Sequence, residues 1–301
     1  MPQVFLDAVY ARMPTQRKKV EAFYREHPQA LAELERFLQV YRPYMDATGL
    51  TDLSLAECYC NMAEETLASR LYFLREGHYP AKDQASALAL VYNDPVTMKG
   101  YMLGLALSQF LWKAHYSMYN LFREAVAEVP AGARILEVGS GHGLFLYQAL
   151  KLAGPGAGVD VVDISDTSLE MTQGVLKTAL PEALGRVRFT KADFTVYQPA
   201  ELYDFIIMGE VLEHVDDPLG MLRSMRRLLK PGGRGYISTC VNCPAIDHVY
   251  EFTETREIKI LVDKAGLKTL REVEVPSEDR PPAVLKALKI DVSYASILEG
   301  A

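Results

Sequence analysis

The 301-residue chain has little cysteine, one tryptophan, no basic excess and no long apolar run. Four cysteines, Cys58, Cys60, Cys240 and Cys243, are too few for a disulfide framework at this length and fit a reducing cytoplasm. Lys and Arg number 13 against 15 Asp and Glu in residues 1–130, and 19 against 24 in residues 131–301, so neither half carries the basic stripe that nucleic acid requires. The most apolar stretch, Tyr101 to Trp112, has 12 residues, short of the roughly 18 to 20 that cross a bilayer, and reads as a buried helix. At the N-terminus the basic residues follow the apolar ones, the reverse of a secretory leader. The expectation is a cytoplasmic protein with neither nucleic acid nor membrane as partner, and a homodimer is compatible with this composition. At about 150 residues per domain, the length suggests two domains.

Glycine is scarce in one region only, with 4 of the 20 residues before Ala131. This step places a boundary between a helical segment, 1–128, and a second segment, 129–301. In the first, apolar residues recur at three- and four-residue steps, as in Leu31, Leu34, Phe37, Leu38 and Tyr41, and further helices are expected over 54–75, 83–92 and 97–128. In the second, short β-rich runs such as Arg134-ILEVG, Gly158-VDVVDI, Tyr203-DFIIMG and Gly235-YISTCV alternate with helical stretches at about 142–153, 166–180, 216–229 and 254–265. That alternation is the pattern of an α/β fold, a mostly parallel sheet with helices on both faces. Two late runs, near 268–275 and 291–298, complete seven strands, the last of them a candidate for the antiparallel direction.

The sharpest motif is Glu137-Val-Gly139-Ser140-Gly141-His142-Gly143, a strand running through a glycine turn into a helix. Glycines there permit a tight turn and let a ligand touch the backbone. A second strand ends at Asp163, 24 residues after Gly139, where a carboxylate can accept both ribose hydroxyls. Asp160 is the competitor. A nicotinamide dinucleotide loop would need its third glycine at position 144, which is Leu144, so a dehydrogenase is disfavoured.

In these residues the chain resembles the class I S-adenosylmethionine-dependent methyltransferases, whose first motif reads acidic-x-G-x-G-x-G. The resemblance covers about residues 125–275 and continues through Asp163, Ala192-Asp193-Phe194, Gly209-Glu210 to Asp217-Pro218, and Leu228-LKPGG. It implies a Rossmann-like, doubly wound sheet of seven strands and the cofactor S-adenosyl-L-methionine, with S-adenosyl-L-homocysteine as product. The cofactor site it implies comprises Glu137, Gly139, Ser140, Gly141, Gly143, Asp163, Ile164, Asp193, Phe194 and Glu210. The function it implies is methyl transfer by in-line displacement to an O, N or S atom of a small-molecule acceptor, in a cleft closed by the N-terminal helices.

A general base must titrate near neutrality, so histidine is considered first. His214 follows the fourth strand and His248 the fifth, while His115 lies in the aromatic segment Trp112 to Tyr119 ahead of the first strand. These three are the catalytic candidates. Trp112, Tyr116, Tyr119, Asn242, Asp247 and Tyr250 are the candidate acceptor contacts, although the first three read equally as a core stripe at helical spacing. Zinc at the two cysteine pairs is disfavoured by the C-x-C spacing of Cys58 and Cys60. Glu210, Glu213, Asp216 and Asp217 read as solvated loop acids rather than a magnesium site, so no metal is expected. The rival reading is a non-catalytic module that binds the cofactor and serves as a scaffold.

Overall fold

The computed structural model describes residues 2–87 and 94–300. Six helices come first: α1 (Pro2–Arg12), α2 (Pro14–Glu26), α3 (Pro28–Thr48), α4 (Asp52–Glu76), the single turn α5 (Gln84–Ala87) and α6 (Pro95–Ser108). Proline at the first helical position starts α2, α3 and α6, where its missing N–H costs nothing. Thr51 and Ser54 form a reciprocal cap on α4, and Gly49 and Gly77, both left-handed, end α3 and α4. Of the helix expected over 83–92, residues 88–93 lie outside the described residues. The stretch expected as one helix over 97–128 is two, α6 and α7 (Lys113–Ala127). The break buries Phe110 and Leu111, each 3 % exposed.

From Arg134 onward the elements alternate: β1 (Arg134–Val138), α8 (Leu144–Leu152), β2 (Gly158–Asp163), α9 (Asp166–Ala179), β3 (Val187–Lys191), β4 (Tyr203–Gly209), α10 (Pro218–Leu228), β5 (Leu229–Val241), α11 (Thr255–Lys264), β6 (Leu267–Pro276), α12 (Pro282–Ala287) and β7 (Val292–Gly300). The strands form one sheet in the order β3-β2-β1-β4-β5-β7-β6, in which β7 runs antiparallel to both neighbours and the pairs from β3 to β5 are parallel. The chain winds outward from β1 in both directions. The crevice between the carboxyl ends of β1 and β4 is therefore where a ligand would bind.

Side chains alternate across the sheet, so Ile135 and Leu136 enter different cores. Leu136, Val138 and Ile206 meet α10 and α11 on one face. Ile135, Val159 and Ile297 meet α7, α8 and α9 on the other, and this cluster continues without interruption through Met102 and Leu34 to Phe5. Among the described residues, no gap in apolar packing marks the 128/129 boundary.

Two contacts seat the helical segment. Gly104 on α6 has no side chain where a Cβ would stand 2.7 Å from Met62 Cβ and 3.0 Å from the Cys58 carbonyl, which lets α6 lie directly on α4. Tyr41 of α3 donates its hydroxyl to the His142 carbonyl at 2.7 Å, tying that helix to the glycine loop. Among the described residues, no helix is long and apolar enough to cross a membrane.

Candidate active site

A cavity of about 820 Å³ opens at the carboxyl ends of β1, β2 and β4 and is walled by α6 and by the loops after β4 and β5. The glycine loop forms its floor. Gly139 has φ +74°, and a Cβ there would stand 2.8 Å from Val211 Cγ2, so a side chain would have to displace the loop after β4. The Gly139 N–H donates to the Val162 carbonyl at 3.0 Å, which fixes the turn against β2.

Asp163 ends β2 at the cavity wall. Its Oδ2 accepts from the Ser140 N–H and its Oδ1 from the Ser165 N–H, both at 2.8 Å. Oδ2 also accepts from Ser140 Oγ at 3.3 Å, which leaves Oδ1 the better placed for a further donor, as a ribose hydroxyl would supply. Burial raises its pKa, against the lowering effect of these bonds. Asp160, three residues earlier, lies on the opposite face of the strand. There it takes hydrogen bonds from Arg134 and Tyr203 at 2.7 Å and an ion pair from Arg188, away from the cavity. Asp193, whose Oδ1 accepts from Thr195 N–H and Oγ1, lines the wall with Phe194 and Ile164.

Two expected cofactor residues do not reach the wall. Glu137 is buried on the face of β1 that Ile135 shares, toward α7 to α9, where desolvation, and secondarily Asp163, hold its pKa well above the usual carboxylate range. Gly143 turns away against Thr172 and opens α8.

The far end of the cavity is built by the loops after β4 and β5. Glu210 takes a left-handed backbone, φ +54°, with its N–H bonded to the Ser238 carbonyl at 3.0 Å. Glu213 is not the solvated loop acid expected but fully buried, with Oε2 accepting from Thr239 at 2.7 Å and Oε1 unpartnered. Burial pushes its pKa up to about 7, and burial with Glu213 nearby pushes that of Glu210 up to about 8. Its backbone carbonyl accepts the N–H groups of Val249 and Tyr250, which pins the β5 loop over the β4 loop. His214 Nδ1 is 3.1 Å from the Asp247 carbonyl and 3.5 Å from Asp247 Oδ2. His248 Nδ1 donates to the Cys243 carbonyl at 2.6 Å, and burial pushes its pKa down to about 4.

Cys240, Cys243 and His248 bring their ligating atoms close together, as do Glu213, His214 and His248, whereas Cys58 and Cys60 lie on α4 and join neither group. A four-thiolate site is thereby excluded.

Of the expected acceptor contacts only Asp247 lines the cavity. Tyr116 packs on Phe23 and Ala30, and Tyr119 on Phe110, Phe122 and Phe145. Trp112 donates to the Tyr59 hydroxyl at 2.8 Å. The stripe at helical spacing is core packing, with only His115 reaching the wall. Asn242, at φ +50°, makes the turn after β5, and Tyr250 packs on Phe252. Missing from the sequence reading were Met98, Tyr101, Met102 and Leu105, one face of α6, and Gln109 at its C-cap, which wall the cavity. Their three- and four-residue spacing gave a face without showing what it would meet.

The cavity wall carries Asp163, Asp193, Glu210, Glu213, Asp216, Asp217 and Asp247, but among the described residues neither Lys nor Arg. Residues 88–93 contain neither type. A dinucleotide pyrophosphate finds no counter-charge here, whereas a nucleoside carrying a sulfonium group suits the acidic wall.

Residues 113–270, more than half of the chain, match a family model described as a methyltransferase domain. The chain belongs to this family, that of the class I S-adenosylmethionine-dependent methyltransferases. It is similar to the ubiquinone biosynthesis O-methyltransferase of Xanthomonas axonopodis pv. citri, 33% identical over 116 residues, 38% of this chain and 46% of that protein. The protein of the same name from Xanthomonas euvesicatoria pv. vesicatoria is 34% identical over 115 residues, with the same coverage. The chain thus spans about half the length of the curated relatives it matches. Among solved structures, the mitomycin 7-O-methyltransferase MmcR aligns with TM-score 0.54 at 16% identity, over 81% of this chain and 70% of that one, and shares the fold.

Proposed function

We propose that the chain methylates a small-molecule acceptor, a hydroxyl compound first of all, in a cleft covered by α5 and α6. The observation that carries this is the His214–Asp247 pair, which stands at the end of the cavity remote from Asp163. Bound between them, S-adenosylmethionine supplies a methyl carbon on a positively charged sulfur, open to in-line displacement.

The chain's own residues divide the remaining work. Asp163, Ile164, Asp193 and Phe194 hold the nucleoside end. His214 gives its Nδ1–H to the Asp247 carbonyl, which leaves Nε2 to accept the acceptor's proton, with the buried Asp247 carboxylate beside the imidazolium that forms. His248 has the same tautomer but is a weaker base, since burial disfavours its charged form. Positioning contributes much of the rate, and the α6 face that closes the wall excludes water. The acidic wall favours uncharged or cationic acceptors over carboxylates and phosphates. The names of the curated relatives, both O-methyltransferases, support a hydroxyl over an amine or thioether.

Transfer of labelled methyl from S-adenosylmethionine into a panel of phenols, alcohols and amines tests the reading. His214→Gln is expected to lower kcat about 10²- to 10⁴-fold while adenosylhomocysteine affinity stays unchanged. Unchanged kcat would remove His214 as the base. Cofactor binding with no labelled product, in the panel or in cell extracts, would favour a scaffold.

A further inference from the structure

The amino-acid end of the cofactor is a zwitterion, and among the described residues the cavity wall offers it no Lys or Arg. Its carboxylate must be held by neutral donors. A nucleoside with its base at Asp193, after β3, and its ribose at Asp163, after β2, extends its 5′ substituent over the glycine loop after β1. Two histidines stand on the wall there, His142 in the loop itself and His115 from α7.

Hydrogen bonds fix a different tautomer for each. His142 Nδ1 accepts the Leu144 N–H at 3.1 Å, so this ring carries its proton on Nε2. His115 Nδ1 lies 2.7 Å from Ser108 Oγ, and Ser108 gives its only hydroxyl proton to the Leu105 carbonyl, also at 2.7 Å. With that proton directed to the carbonyl, Ser108 Oγ accepts from His115 Nδ1–H, which assigns the His115 lone pair to Nε2. Phe145 stacks on His142 and Trp112 packs on His115, which holds both rings in place. Burial pushes both pKa values down to about 4, so the donor and acceptor pattern persists at neutral pH.

We propose that this pair reads the amino-acid end of the cofactor, His142 Nε2–H donating to the carboxylate and His115 Nε2 accepting from the ammonium. The proposal rests on the cofactor reading above and moves His115 from candidate base to binding residue. It makes recognition of the zwitterion independent of any fixed cation and leaves the acidic wall free to favour the sulfonium.

Two ligands separate the outcomes: adenosylhomocysteine, and 5′-deoxy-5′-methylthioadenosine, which keeps the adenosine and thioether but lacks the amino acid. By calorimetry, His142→Phe is expected to weaken adenosylhomocysteine roughly ten- to hundredfold and leave methylthioadenosine within twofold. His142→Gln, whose amide N–H can replace Nε2–H, should restore part of the loss. His115→Phe should show the same selectivity with a smaller loss. Retained methylthioadenosine binding shows in each case that the site is folded. Equal weakening of both ligands, or of neither, overturns the clamp. If the unsubstituted protein binds neither ligand, the cofactor reading falls, and the clamp with it.

Discussion

At one end of the cavity the chain works with its backbone, and at the other with side chains gathered from distant elements. The first end is a turn of glycines, two peptide N–H groups held by Asp163 and a strand terminus, all contained within residues 139–165. The second draws Glu210, Glu213 and His214 from one loop and Asp247 and His248 from another, while α6 lies over the first end, with Met102 beside Gly141 and Met98 Sδ accepting from Ser165 Oγ at 3.5 Å. A backbone site tolerates little change in conformation but needs few particular residues. A side-chain site can be retuned one residue at a time, and under the proposed function it is the end that would choose the acceptor.

The largest effect expected from breaking this contrast is at the backbone end. Gly139→Val adds a branched side chain at φ +74° against Val211, and adenosylhomocysteine affinity should fall more than hundredfold with a lowered Tm. An unaltered isotherm would show that the loop can rearrange and that its glycines are not needed. Next come the two aspartates of β2. Asp163→Ala should weaken adenosylhomocysteine by roughly a hundredfold, whereas Asp160→Ala should leave affinity intact and cost about 2 kcal/mol of stability by stripping Arg134 and Tyr203 of their partner. The reverse result would place the ribose on the other face of the strand.

The smallest effect belongs to the side-chain end. The Glu213 carboxyl titrates near 7 in the folded chain, against an ordinary value of 4.5, so the folded state holds a proton that the unfolded chain has released. Its contribution to stability is present below pH 4.5 and is lost as pH rises through about 7. Glu213→Gln removes this dependence, and its Tm should gain on that of the unsubstituted protein by roughly 2 to 4 °C between pH 5 and pH 8. The buried histidines, which lose stability as pH falls, occur in both proteins and cancel in the difference. A constant Tm difference would mean that Glu213 is ionised throughout.

The same contrast explains what could be read without a structure. The glycine loop, Asp163 and the alternation of strands and helices are local patterns, and local patterns report backbone geometry. That Asp163 and not Asp160 lies on the cavity wall follows from strand alternation once the strand's end is known. Glu213 was misread because its burial depends on the β5 loop folding over the β4 loop, a contact between segments more than thirty residues apart. In the sequence, Trp112, Tyr116 and Tyr119 stay open between acceptor contact and core stripe for the complementary reason. Helical spacing says that three rings share a face but not whether that face meets a ligand or a neighbouring helix. The α6 wall belongs to the helical segment, and only the tertiary fold brings it to the sheet edge.

The Tyr41 hydroxyl adds a thermodynamic consequence. It belongs to the third helix of the chain and is spent on the carbonyl of His142, within the glycine loop on the cavity floor. Free-energy coupling between two sites is reciprocal. A ligand that steadies the loop would therefore steady the docking of α3 by the free energy that couples the two, and loosening α3 would weaken the loop's hold on that ligand by the same coupling energy. Occupancy of the nucleoside site and seating of the first helices form one linked equilibrium.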